Sequence, residues 1–136
     1  MSAAAVLALD AGNTRVKWGL RAGDDWAARG AIATAGAAQL GRDWPELPPG
    51  TLAFGSNVGG PAVQALLHEA CARHGVALSL IASERERLGV RSAYRDPAQL
   101  GTDRWAALLA AYRDAPVNQL VVNAGTALTV DALRAD

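Results

Sequence analysis

Short apolar runs break into small glycine-centred turns at both ends of this chain, and between them apolar residues recur twice at helical spacing. Residues 6–9 and 15–20 read as two strands joined by a small glycine turn, a β-hairpin. Residues 26–34 predict a third strand, diluted by alanine. A short helix and a loop carrying Pro45, Pro48 and Pro49 are expected over 35–49. Residues 51–54 read as a strand running into Gly55-Ser56-Asn57-Val58-Gly59-Gly60-Pro61. Pro61 suits the first position of a helix whose apolar face is Val63, Leu66, Leu67, Ala70 and Cys71. Gly75 is placed to end it, and 76–81 predicts the next strand. A second amphipathic helix lies between Pro97 and Tyr112, with Trp105, Leu108, Leu109 and Tyr112 on one side. Residues 119–122 and 127–133 predict a closing hairpin.

The order β-β-β, β-α-β-α and hairpin predicts an α/β fold: a mixed sheet flanked by helices. The turns of the first and last hairpins are near-copies, Ala8-Leu9-Asp10-Ala11-Gly12-Asn13-Thr14 and Val121-Val122-Asn123-Ala124-Gly125-Thr126-Ala127. A glycine there removes the Cβ and lets backbone N–H groups approach an anion. Two such turns suggest a nucleotide held between two lobes. Because the pattern restarts near residue 119, one lobe is expected over 1–117 and the first hairpin of a second, incomplete lobe over 118–136. The chain is accordingly expected to be a piece of a longer protein.

Composition narrows the classes. The chain has 136 residues, enough for one ordinary core, with 51% apolar and 19% charged residues, which excludes a disordered chain. Thirteen basic and thirteen acidic residues cancel, removing any bulk electrostatic case for nucleic acid or an anionic membrane. Lys17 is the only lysine. The single cysteine, Cys71, falls on the apolar helix face and reads as a small core residue in a reducing compartment. Residues 3–9 are apolar but lack a basic leader and are interrupted by Asp10, so no signal peptide is expected. No run approaches the ~20 apolar residues of a membrane helix, and a soluble cytoplasmic protein is expected.

Candidate chemistry gathers near the glycine turns. Asp10 ends a strand expected to be buried, where a carboxylate is costly unless paired or near a cation. A magnesium ion held through water would satisfy it; otherwise it caps the turn. Lys17 returns within reach of a phosphate on the first turn, or is a solvated edge lysine. Gly12, Gly125 and Thr126 offer backbone N–H groups, and Thr126 a hydroxyl. Asp103 suits the N-cap of the second helix. His68 and His74 lack partners at metal-ligand spacing and read as surface residues, and Arg85-Glu86-Arg87 reads as a solvated loop of mixed charge. There is no Ser-His-Asp order, zinc ligand set or Walker-type loop.

Asp10-Ala11-Gly12-Asn13-Thr14 with Lys17 resembles the first phosphate motif of type III pantothenate kinases. Gly55-Ser56-Asn57-Val58 resembles that family's small-residue segment, and Gly101-Thr102-Asp103-Arg104 its Gly-x-Asp-Arg motif, preceded by Tyr94 and Pro97. Gly125-Thr126-Ala127-Leu128-Thr129-Val130-Asp131 resembles its second phosphate motif. The four segments occur in order over nearly the whole chain.

The resemblance implies two ribonuclease-H-like lobes, as in the actin, heat-shock ATPase and sugar-kinase superfamily, with this chain as the N-terminal half. It implies ATP-dependent phosphorylation of pantothenate to 4'-phosphopantothenate, the first step of coenzyme A synthesis. ATP would be held by Asp10, Ala11, Gly12, Asn13, Thr14, Arg15, Val16, Lys17 and Thr126, with magnesium on Asp10 through water. Pantothenate would be held by Tyr94, Gly101, Thr102, Asp103 and Arg104. Asp103 would be the general base, with Arg104 and Tyr94 at the carboxylate and amide end. A monovalent cation, potassium or ammonium, would sit where this chain has Asn123; the family usually has aspartate there. A homodimer is also implied, and the 136-residue chain alone is expected to be inactive. The alternatives are a regulatory or accessory protein on the same scaffold, or another small-molecule kinase of the superfamily.

Overall fold

The computed structural model describes residues 3–135. By contacts the chain divides into two compact units, one up to Ile81 and one from Ala82 onward.

The first unit is built on a mixed sheet. Strands β1 (Val6–Ala11), β2 (Arg15–Ala22) and β3 (Asp25–Ala33) form an antiparallel meander. A 3-10 turn, Thr34–Gln39, then leads through the proline loop to β4 (Leu52–Asn57), which lies parallel to β1. Helix α1 (Pro61–Arg73) returns the chain to β5 (Leu78–Leu80), parallel to β4. The strand order is β3-β2-β1-β4-β5.

Period-two alternation decides which face is the core. Leu7, Leu9 and Ala11 of β1, Val16 of β2 and Ala53 of β4 are buried with Val63, Leu67, Ala70 and Cys71 of α1. The same cluster takes in Ala37, Leu40 and Trp44 from the 3-10 turn and the loop after it. Pro61 opens α1, and Gly75, at φ 72°, ends it in the left-handed conformation that glycine tolerates. On the opposite sheet face Trp26, Leu52 and Phe54 are exposed.

One expectation is corrected in this unit. His68 is exposed, but His74 is not a plain surface residue. It is half-buried, its ring packs 5.1 Å from that of Trp44, and its Nε2 lies 2.8 Å from the Gly41 carbonyl oxygen. Arg73 donates from Nη2 to the Leu40 carbonyl at 2.7 Å, so the end of α1 ties down the preceding loop.

The second unit carries a small hairpin that periodicity did not reveal. Strands β6 (Glu86–Arg87) and β7 (Val90–Arg91) pair across Leu88 and Gly89, both at positive φ, as a tight turn of the primed type requires. Two residues per strand leave no alternation to detect. A 3-10 turn (Pro97–Gln99) precedes helix α2 (Thr102–Asp114), and β8 (Gln119–Ala124) pairs with β9 (Leu128–Leu133). Trp105 and Leu108 of α2 are buried with Val90, Leu100 and Leu133; Leu109, Tyr112 and Val121 pack on them. The other face of the β8–β9 hairpin is apolar and open, with Leu120 71% and Leu128 70% exposed.

Candidate functional site

The residues assigned to ATP fall in the first unit apart from Thr126, and those assigned to pantothenate fall in the second.

In the first unit they line the β1–β2 turn. This turn is pinned from two neighbours. Thr34, just beyond β3, donates its backbone N–H to the Thr14 carbonyl at 2.9 Å and its hydroxyl to the Gly12 carbonyl at 2.8 Å. Val58, just beyond β4, donates to the Ala11 carbonyl at 2.9 Å. Asn57 then shapes the entry to α1: its Oδ1 accepts from the Gly59 N–H and its Nδ2 donates to the Gly60 carbonyl. Asn13, Thr14, Arg15 and Lys17 are exposed on this frame, whereas the Ala11 and Val16 side chains are core and could offer a ligand only backbone groups.

The burial argument for Asp10 does not hold. It lies on the sheet face opposite Leu9 and Ala11 and is exposed, on a rung between Lys17 of β2 and Ser56 of β4. An exposed carboxylate is compatible with a metal held through water, because it need not shed its own hydration.

The role given to the two glycine amides is also corrected. Gly12 donates to the Arg15 carbonyl at 2.9 Å and Gly125 to the Ala127 carbonyl at 3.1 Å, so each closes its own turn. The turns differ in register too: the last rung is Ala11↔Val16 in the first and Ala124↔Leu128 in the second. Neither glycine adopts a positive φ. A Cβ on Gly12 would make only ordinary contact with the Arg15 carbonyl at 3.4 Å, and one on Gly125 would meet nothing within 4 Å. Folding therefore does not demand glycine at either position, and the absent side chain leaves room for a close ligand.

In the second unit Asp103 is not the cap of α2. Gly101 occupies that position, and Asp103 lies in the first turn, where the helix dipole favours a carboxylate. Asp103 and Thr102 are half-buried. Arg104, next along, is held by Asp131, which the second motif includes but to which the sequence assigns no role. Its Nε donates to Asp131 Oδ2 at 2.9 Å and its Nη2 to Asp131 Oδ1 at 2.5 Å, a bidentate pair between α2 and β9. The Asp131 side chain is 9% exposed and that of Arg104 27%. Hydrogen bonding to Asp131 pushes the Arg104 pKa further up, against its partial burial, with the nearby Tyr94 phenol acting in the same direction as Asp131. Arg104 is therefore permanently charged and already paired. Its Nη1 is the nitrogen that Asp131 leaves unused.

The same face of the β8–β9 hairpin carries Asn123 opposite Thr129, and the Asn123 Nδ2 and Thr129 Oγ1 are buried without a hydrogen-bond partner. This pair fits a monovalent cation poorly. It supplies neutral oxygens, no carboxylate, and a buried amide N–H that would repel a cation. Thr126 is exposed in the turn.

A family model described as type III pantothenate kinase matches residues 6–136. A type III pantothenate kinase of Nitrosospira multiformis is 45% identical over 128 residues, covering 94% of this chain and 49% of that protein. One of Aromatoleum aromaticum is 45% identical over 130 residues, covering 96% of this chain and 54% of that protein. The chain thus spans about half the length of the curated relatives it matches. With the match running from the first strand to the last residue, the chain belongs to the type III pantothenate kinase family.

Proposed function

We propose that the protein to which this chain belongs transfers the γ-phosphoryl group of ATP to the primary hydroxyl of pantothenate, opening coenzyme A synthesis. The observation that carries this reading is the start of α2, where Asp103 and the braced Arg104 stand side by side in a chain of this family. Phosphoryl transfer demands positioning and charge neutralisation more than covalent chemistry. Asp103 accepts the hydroxyl proton, a task for a carboxylate in hydrogen-bond reach. Among the described residues no hydrogen bond or ion pair engages it, which leaves both oxygens free for that work. Arg104 presents a fixed Nη1, beside the Tyr94 phenol, to the polar end of pantothenate. Because Asp131 already neutralises it, Arg104 contributes directed hydrogen bonds more than net charge.

The exposed turn of Asn13 and Thr14, with Arg15 and Lys17, takes the ATP phosphates. Asp10 would hold a magnesium ion through water, and that ion would supply charge neutralisation for the phosphates. The strand order β3-β2-β1-β4-β5 is compatible with a ribonuclease-H-like lobe. The open apolar face of β8–β9 supports a second lobe packing there, since contiguous exposed apolar surface marks an interface. Homodimerisation and a cytoplasmic location belong to the same proposal; no helix among the described residues is long and apolar enough to cross a membrane.

The test is ADP release coupled to a chromogenic reaction, with pantothenate and Mg-ATP. It is run on the 136-residue chain and on a protein of the relatives' full length. Turnover with pantothenate is expected only for the longer protein, because both walls of a nucleotide cleft must exclude water. Turnover with a sugar and none with pantothenate would overturn the substrate.

A further inference from the structure

Residues 92–96 form no strand or helix, yet this segment carries Tyr94. Its backbone carbonyls are gathered by one side chain. Arg85 donates from Nη1 to the Ser92 carbonyl at 3.1 Å and to the Tyr94 carbonyl at 2.5 Å, and from Nη2 to the Arg95 carbonyl at 2.7 Å. The backbone returns the grip, because the Ser92 N–H donates to the Arg85 carbonyl at 2.8 Å. Tyr94 is braced further by its own N–H, which donates to Ser92 Oγ at 3.3 Å. Residues 85–87 are solvent-exposed as expected, but Glu86 and Arg87 form β6 and not a loop; Arg87 pairs with Glu84, and Arg91 with Glu86, as exposed ion pairs. Arg85 has no carboxylate partner among the described residues and spends its donors on carbonyls instead.

We propose that Arg85 is a positioning residue: it clamps the 92–95 backbone so that the Tyr94 phenol meets Arg104 and completes the pantothenate-binding edge. This rests on the functional reading above. A guanidinium suits the task because its donors are spread across a rigid plane and can reach three acceptors at once. A lysine ammonium is a single point and cannot span them. The clamp precedes the chemistry and touches no reacting atom, so it acts on substrate affinity through Tyr94. Without it the segment has no ladder or helix to order it, and the phenol pays that ordering cost on binding.

The experiment measures steady-state kinetics and hydrogen exchange on the full-length protein with Arg85→Gln, Arg85→Lys and, as a surface control, Arg87→Gln. Arg85→Gln is expected to raise KM for pantothenate about tenfold, corresponding to about 1.4 kcal/mol. The kcat and the KM for ATP should stay within about twofold. Arg85→Lys should fail to restore KM, and Arg87→Gln should match the wild type. Amide exchange over residues 92–99 should accelerate in Arg85→Gln while α2 is unchanged. Restoration by lysine, a fall in kcat at constant KM, or unchanged exchange over 92–99 would each overturn the clamp. If the wild type does not use pantothenate, the proposed reaction fails. The exchange comparison then decides the clamp by itself.

Discussion

Removing the Asp131 carboxylate should destabilise the second unit far more than removing an ordinary surface acid. The pair spans α2 and β9, two elements that bury Trp105 and Leu133 together, and Asp131 is itself 9% exposed. Truncating one partner of a fully buried ion pair costs about 3–5 kcal/mol, because the other charge is left desolvated and unpaired. Arg104 keeps 27% of its side-chain exposure, so solvent relieves part of that penalty and the expected loss for Asp131→Ala is about 2–3 kcal/mol. Asp131→Asn keeps one acceptor oxygen and should lose about half as much. The double variant Arg104→Met with Asp131→Leu removes both charges and should lie within about 1 kcal/mol of the wild type. The assay is urea unfolding of the chain, with hydrogen exchange to localise the loss to α2 and β8–β9 and not to α1. A loss below about 0.5 kcal/mol for Asp131→Ala would show that the pair behaves as an exposed one. A double variant as unstable as the single one would show that the unpaired charge is not the cause.

Asp103→Asn in the full-length protein should lower kcat by about 10²–10⁴-fold with ATP affinity nearly unchanged, the signature of a lost general base; near-full kcat would leave Asp103 a helix-dipole partner only. Burial pushes the Cys71 thiol from 9.0 up to about 11, so folding favours its protonated form. That contributes about 2–3 kcal/mol below pH ~9, and the contribution is lost as pH rises from there toward ~11. Urea midpoints of the wild type should therefore fall more steeply across this window than those of Cys71→Ala, and parallel curves would refute the argument. Activity of the full-length protein should depend little on potassium over sodium at equal ionic strength, and Asn123→Asp should introduce such a dependence. Strong potassium activation that survives Asn123→Ala would mean that other groups build the cation site.

Elements with a strong period were legible from the chain alone. The β1–β2 and β8–β9 hairpins sit where apolar runs break at a glycine turn, and both helices sit where 3.6-residue spacing puts them, because these signals are local in the chain. The four ordered motifs identified the family for a related reason: they are contiguous, so their spacing survives in one dimension. Tertiary structure decided what depends on facing and on distance along the chain. Asp10 looked buried because its strand is apolar, but strand geometry turns it away from Leu9 and Ala11, and only assembly of the sheet reveals which side is core. The partnership of Arg104 with Asp131 joins residues 27 apart, and nothing local in either marks the other. Arg85 was the hardest to foresee, since its partners are backbone carbonyls, which every residue carries. Recognition of main chain leaves no side-chain signature in a sequence; it exists only once the loop has been folded onto the guanidinium.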